Sequence, residues 1–162
     1  MLGKKLLLTL ASDERHFKAA RALFAEYAKI PGFAEAYAGS YADELQNLRR
    51  DYTPPDGRLY LVFTGGQPAG CIAMRRFDEG RCEMKRLFVS PQYRGQNIGV
   101  VLVRQILNDA RESGYTSVVL SSLESMKTAH ALFRRVGFKK INPPEASAPA
   151  GREDAAYFEK QL

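Results

Sequence analysis

The sequence predicts an α/β (α+β) fold: one mixed, mostly antiparallel sheet of six to seven strands flanked by about four helices. Three observations carry that expectation. Apolar runs at 58–64, 68–76 and 82–89 are separated only by turn residues, the mark of an antiparallel meander. The runs at 82–89 and 118–120 are separated by one long amphipathic segment, so they should pair in parallel through a right-handed crossover. Helical periodicity from Phe17 to Tyr27 and from Met126 to Val136 supplies cover for the sheet.

Taken in order, Lys4 to Ala11 is a Leu-rich first strand. Ser12 or Asp13 can cap the next helix by accepting from its first free amides. Phe17, Ala20, Phe24 and Tyr27 give that helix one apolar face, and Pro31-Gly32 stops it. A second helix is expected over Tyr41 to Arg50, at the surface because Leu45 and Leu48 are sparse. Thr53-Pro54-Pro55-Asp56-Gly57 turns the chain. Strands Arg58–Thr64 and Pro68–Arg76 are joined by Gly65-Gly66, which reaches positive φ without strain. Asp78-Glu79-Gly80 turns into the strand Cys82–Val89. A helix with Ile98, Val101, Leu102, Ile106 and Ala110 on one face runs to Ser113-Gly114, and Val118–Leu120 follow as a strand. Ser125 can cap a helix with Met126, Ala129, Leu132, Phe133 and Val136 as apolar members, ended by Gly137. Phe138–Ile141 is a short strand, Asn142 to Gly151 a Pro/Ala-rich loop, and Ala155–Leu162 the last strand. The order is β-α-α-β-β-β-α-β-α-β-β, in a single domain over 1–162.

The chain of 162 residues suits one full core, and its 45% hydrophobic and 26% charged content is ordinary for a globular protein. No apolar run approaches the roughly 20 residues of a membrane span, so a cytoplasmic protein without a membrane partner is expected. The net charge of +6 favours anionic ligands, yet the cations are spread along the chain. A small polyphosphate accounts for them as well as nucleic acid does, and nucleic acid is not expected as a partner. Cys71 and Cys82 sit inside apolar strands and read as core thiols. His16 and His130 lack Cys or carboxylate neighbours at ligand spacing, so no metal is expected. Monomer and homodimer both remain open.

The segment Glu83 to Gly99, EMKRLFVSPQYRGQNIG, holds the clearest site. A strand ends at Ser90-Pro91, a basic turn follows at Arg94-Gly95-Gln96-Asn97, and a helix begins. The first amides of a helix have no internal partner and carry the positive end of its dipole, which makes an anion site. The alternative is a tight turn permitted by Gly95 and Gly99, with Arg94 solvated. No Gly-Lys-Ser/Thr follows, as a P-loop needs. Nor does an acidic residue close a second strand about 20 residues on, as a dinucleotide fingerprint needs.

Arg94-Gly95-Gln96-Asn97-Ile98-Gly99 resembles the acetyl-CoA signature Q/R-x-x-G-x-G/A of the GNAT N-acetyltransferase superfamily. Glu83 to Val89 resembles that family's fourth strand, and Ala129 to Phe138 its fourth helix with the Gly-Phe that opens its sixth strand. Pro55-Asp56-Gly57-Arg58 recurs in one branch of small members. The likeness covers essentially the whole chain and implies a small, single-domain, bacterial-type member. It implies that the amides of Gly95, Gln96, Asn97, Ile98 and Gly99 grip the pyrophosphate of CoA, with Arg94 alongside. It further implies main-chain pairing of Leu87 and Val89, next to Phe88, with the pantetheine arm, and a Leu87 amide that polarises the thioester carbonyl. The fourth and fifth strands would diverge to admit the cofactor, with Phe133 beside it.

Three positions depart from the family pattern. Asn97 replaces the middle Gly, at a cost of about 1–2 kcal/mol if φ is positive there. Met126 replaces an Asn that touches the cofactor. Phe133 replaces the Tyr that protonates the leaving thiolate. A thiolate leaving at neutral pH costs only about 2 kcal/mol, which water, Ser121 or Ser122 can cover.

An alkylamine must lose a proton before attack, at a cost of roughly 4.6 kcal/mol at neutral pH. Glu83, a carboxylate inside an apolar strand, is the candidate general base or water-positioning group. Its alternative is an ion pair with Lys85 or Arg86. Tyr27, Tyr37, Tyr41 and Tyr52 could line an acceptor pocket or simply pack. The expected function is transfer of an acetyl group from acetyl-CoA to a primary amine of a small molecule by direct attack, since no nucleophile stands beside a His. The alternative is a non-catalytic acyl-CoA-binding module, on the strength of Phe133, Met126 and Asn97.

Overall fold

The computed structural model describes residues 3–144 and 155–162, with the backbone alone over 35–39. Its elements are β1 (Leu6–Leu10), α1 (Glu14–Tyr27), α2 (Phe33–Gln46), α3 (Leu48–Asp51), β2 (Arg58–Thr64), β3 (Gln67–Arg76), β4 (Arg81–Val89), α4 (Ile98–Glu112), β5 (Ser117–Leu123), α5 (Lys127–Arg135), β6 (Lys139–Ile141) and β7 (Ala155–Gln161). The strands form one sheet in the order β1-β2-β3-β4-β5-β7-β6. β1 to β4 pair antiparallel as the meander predicts, and β4 pairs β5 in parallel across the α4 crossover. Gly65 and Gly66 take φ of 56° and 78°, the left-handed pair that a two-residue hairpin turn needs.

Alternation along the strands fills two cores. On one face Tyr60, Ile72, Met74, Cys82 and Met84 pack against Ile98, Leu102 and Ile106 of α4 and Phe133 of α5. On the other Leu59, Leu61, Cys71, Ala73 and Phe88 pack against Phe17, Leu23, Phe24, Phe33 and Leu48. Cys71 and Cys82 are buried free thiols, and burial pushes the Cys82 thiol up to about 12.

Three local expectations need correction. The helix expected over 41–50 is two pieces, α2 and α3, and it starts eight residues earlier (41 against 33). It is no surface helix: Phe33, Tyr41, Glu44 and Leu48 are buried, a face built of aromatics and one carboxylate that a Leu count overlooks. Of the two cap candidates for α1, Asp13 is the one that acts, accepting from the His16 amide at 3.1 Å. Ser125 does not cap α5, whose N-cap is Met126 without a side-chain bond. A 3-10 turn at Pro91–Tyr93 was also not foreseen. Most of the Pro/Ala-rich loop lies outside the described residues.

Two irregularities of β4 position everything that follows. Its pairing with β5 runs only from Arg81–Ser117 to Glu83–Val119, while β5 stays paired with β7 as far as Leu123–Ala155. Beyond Glu83 the two parallel strands therefore part. Against β3, Lys85 faces Ala73 and Phe88 faces Cys71, so Arg86 and Leu87 together oppose Ile72. That is a β-bulge, and Arg86 takes φ of 58° in it.

Candidate functional site

Two cavities open on opposite halves of β4. The first, about 700 Å³, follows the strand from Leu87 through Val89 to the turn and the start of α4. Its walls are Leu87, Phe88, Val89, Ile98, Met126, Ala129 and Leu132, with Arg94, Gly95, Asn97 and Gly99 at one end. Gly95 (φ 81°) and Asn97 (φ 61°) both lie in the left-handed region, so the turn needs the freedom of Gly and the tolerance of Asn. The first helical bond runs from the Val101 amide to the Asn97 carbonyl at 3.1 Å, leaving the amides before it outside the ladder. Gly99 has a packing role: a Cβ there would meet Leu132 at 3.1 Å. Arg94 is exposed and donates from Nε to the Val89 carbonyl at 3.0 Å.

The second cavity, about 410 Å³, is charged. Its lining includes Asp43, Glu44, Arg50, Asp51, Arg75, Glu83, Lys85 and Arg86, with Tyr27, Ser121 and Tyr157. Because of the bulge, Lys85 and Arg86 reach the same carboxylate although they are neighbours in sequence. Glu44 of α2 accepts from Arg86 Nε at 2.8 Å and pairs with Lys85 Nζ at 3.4 Å. The Tyr52 hydroxyl also donates to Glu44. Arg86 is buried, its guanidinium 5.3 to 5.8 Å from the ring centres of Tyr41, Phe33 and Tyr27. Burial works to raise the pKa of Glu44, but the charges of Arg86 and Lys85 outweigh it and the net shift is downward. Burial, helped by the charge of Arg86, lowers that of Lys85 against the pull of Glu83 and Glu44.

Glu83 pairs across the sheet with Arg75, Oε1 to Nε at 3.0 Å, and lies 3.9 Å from Lys85 Nζ. Lys85 is thus a secondary partner, and Arg86 belongs to Glu44. Arg75, its register partner on β3, is the neighbour a reading along β4 alone misses.

Of the residues singled out from the sequence, Leu87, Phe88, Val89, Arg94, Gly95, Asn97, Ile98 and Gly99 all border the first cavity. Gln96 is exposed at the turn and is not part of its lining. Phe133 is packed among His130, Phe138 and Phe158, and α5 meets the cavity through Ala129 and Leu132 instead. Met126 lines it, with the Ser122 hydroxyl donating to its sulfur at 3.4 Å. Tyr27 borders both cavities. Tyr41 and Tyr52 are buried, Tyr41 donating to the Phe24 carbonyl. The side chain of Tyr37 lies outside the described residues. Glu44 and Arg75 were not foreseen; Glu44, set between apolar positions Tyr41 and Leu48 on one helical face, was the available signal. Among the described residues no group of three His, Cys, Asp or Glu could hold a metal ion. Nor is any helix long and apolar enough to cross a membrane.

The family model for the acetyltransferase (GNAT) family matches residues 21–138. An uncharacterized N-acetyltransferase of Schizosaccharomyces pombe is 41% identical over 103 residues, covering 62% of this chain and 63% of that protein. N-acetyltransferase family 8 member 2 of Rattus norvegicus is 36% identical, covering 60% of this chain and 45% of its own length. This chain therefore spans less than two thirds of either relative. An IAA acetyltransferase of Azospirillum brasilense is 34% identical, with 74% of each chain covered. In the solved structures, a GNAT-family acetyltransferase of Staphylococcus aureus superposes with a TM-score of 0.84 at 17% identity, over 98% of this chain and 99% of that one. The PaiA N-acetyltransferase of Thermoplasma acidophilum, in complex with coenzyme A, gives 0.73 at 18%, again over 98% and 99%. At these identities the structural likeness is one of fold.

Proposed function

The chain belongs to the acetyltransferase (GNAT) family, and from that premise we propose that it moves an acetyl group from acetyl-CoA to a primary amine of a small molecule. One observation carries the reading: on either side of the β4 bulge, an apolar groove ending at a helix N-terminus meets a charged pocket. The donor fits the groove by chemistry. Apolar walls suit the pantetheine arm, while the left-handed turn and free helical amides suit a pyrophosphate. Bound acetyl-CoA would supply an activated thioester next to the bulge.

On this reading the amides from Gly95 to Gly99 hold phosphate, and Arg94 gives up its bond to the Val89 carbonyl to join them. Leu87 and Val89 pair with the arm through main chain, and the Leu87 amide faces the thioester oxygen. Phe88 supports that strand from the opposite core, and Phe133 supports α5 from behind the groove. Glu83 accepts the amine proton directly or through water, the amine nitrogen bonds to the acetyl carbon, and the C–S bond breaks. The proton that the nitrogen still loses as the amide forms passes to the departing thiolate through water or through the Ser121 hydroxyl as a relay, Ser121 lining the pocket while Ser122 already gives its hydroxyl to Met126. The whole chain acts as one acyltransferase unit, in the cytoplasm, without a membrane or nucleic acid partner.

The competing reading, an acyl-CoA-binding module, draws on Phe133, which offers no proton. Thiol release from acetyl-CoA across a panel of primary amines separates the two. Amine-dependent release that falls about 10²-fold in Glu83→Gln supports transfer. Tight CoA binding without release for any amine supports the module.

A further inference from the structure

Four cations border the charged pocket, each beside a carboxylate. Arg50 gives Nε and Nη2 to Asp51, and Nη2 also to Asp43. Lys85 lies between Glu44 at 3.4 Å and Glu83 at 3.9 Å. Arg86 is buried against Glu44 under three rings. Arg75 differs. Its side chain is 46% exposed, and it uses Nε alone, on Glu83. Among the described residues its terminal nitrogens Nη1 and Nη2 have no hydrogen-bond partner. A guanidinium with its fork open in a pocket is the geometry that takes a carboxylate by two parallel bonds.

We propose, building on the transfer reading above, that the acceptor is an α-amino acid whose free carboxylate is held by Arg75 while its amine faces Glu83. Spacing sets the class. Arg75 Nε and Glu83 Oε1 touch at 3.0 Å, so a small ligand that reaches both residues carries an amine and a carboxylate a short distance apart. An α-amino acid does; a diamine or a peptide N-terminus does not. Charge agrees. The described lining opposes Asp43, Glu44, Asp51 and Glu83 to Arg50, Arg75, Lys85 and Arg86, so a zwitterion enters without leaving one charge unbalanced. Size agrees too, since 410 Å³ lies toward the small end of the roughly 300–1,000 Å³ of ligand pockets.

The test is calorimetric titration of the full chain, in the presence of CoA, with three matched pairs: alanine and ethylamine, phenylalanine and phenethylamine, lysine and 1,5-diaminopentane. At least one amino acid should bind about 10- to 100-fold tighter than its carboxylate-free partner. Arg75→Gln should collapse that ratio toward one, and Arg75→Lys should restore part of it by charge without the fork. Absence of binding by all three amino acids overturns the proposal. So does a wild-type ratio near one, or a ratio that Arg75→Gln leaves unchanged. If Arg75→Gln does not fold, the wild-type ratio decides alone. Thiol release is read separately: amino-acid binding without release overturns the transfer reading and supports the carboxylate site.

Discussion

The two halves of β4 serve the candidate site by opposite means. From Leu87 onward the groove is mainly a backbone site, its strand edge, left-handed turn and helix start coming from one continuous segment and Met126, Ala129 and Leu132 completing the walls. From Glu83 to Arg86 the pocket is a side-chain site, whose partners come from β3 and α2 and from Tyr52 after α3. A backbone site tolerates changes of side chain provided φ and ψ survive. A charged network tolerates changes of backbone sequence provided every partner remains. The bulge is where the two meet: Arg86 has its positive φ there, and its guanidinium bonds Glu44 of α2.

The largest effect expected from breaking that contrast is therefore at Glu44. Glu44→Ala removes the carboxylate that the buried Arg86 and Lys85 share, and urea denaturation should show a loss of about 3–5 kcal/mol. Acid should attack the same network. The folded-state pKa of Glu44 is depressed, so the stability it adds is complete above the ordinary value of 4.5 and is lost as pH falls through the lowered one. His130, buried and with Nε2 unpartnered among the described residues, is depressed first by burial. Its contribution is complete above 6.5 and is lost as pH falls below that. Urea midpoints followed from about pH 8 to about pH 3 should thus fall in two steps. Glu44→Gln should shrink the lower step, to which Asp13, Asp78 and Glu124 also contribute, and leave the upper.

The backbone half should answer differently. Gly95→Ala forces a side chain into φ of 81° at a position with open space around it, so conformational strain of about 1–2 kcal/mol is the whole cost. Calorimetry should show CoA affinity down by about tenfold, with amine binding in the charged pocket unchanged. Smallest of all is Arg94→Ala. The side chain is exposed, and its removal should weaken CoA about two- to fivefold, an effect that shrinks with added salt.

The same contrast explains how far the sequence can be read. The meander, the crossover and the left-handed turn are encoded by neighbours in the chain, so Gly65-Gly66, Ser90-Pro91 and Arg94 to Gly99 announce them. The charged pocket is not. Glu44 and Arg86 are 42 residues apart, and their bond exists only because a bulge turns Arg86 toward α2. Periodicity has no term for a bulge, and counting Leu on the second helix discounts Phe33 and Tyr41. Glu83 draws notice because a carboxylate in an apolar strand stands out, but its main partner, Arg75, is fixed by cross-strand register. Phe133 shows the converse: a residue can match a family motif while its side chain faces the core instead of the groove.

The division of labour along β4 is tested most directly by steady-state kinetics of Gly95→Ala and Glu83→Gln, with acetyl-CoA and the amine each varied. Gly95→Ala should raise KM for acetyl-CoA about tenfold while leaving that for the amine in place. Glu83→Gln should lower kcat by about 10²-fold with little change in KM for acetyl-CoA. If both variants change the same parameter for the same substrate, or if neither alters turnover, the groove and the pocket are not the two halves of one active site.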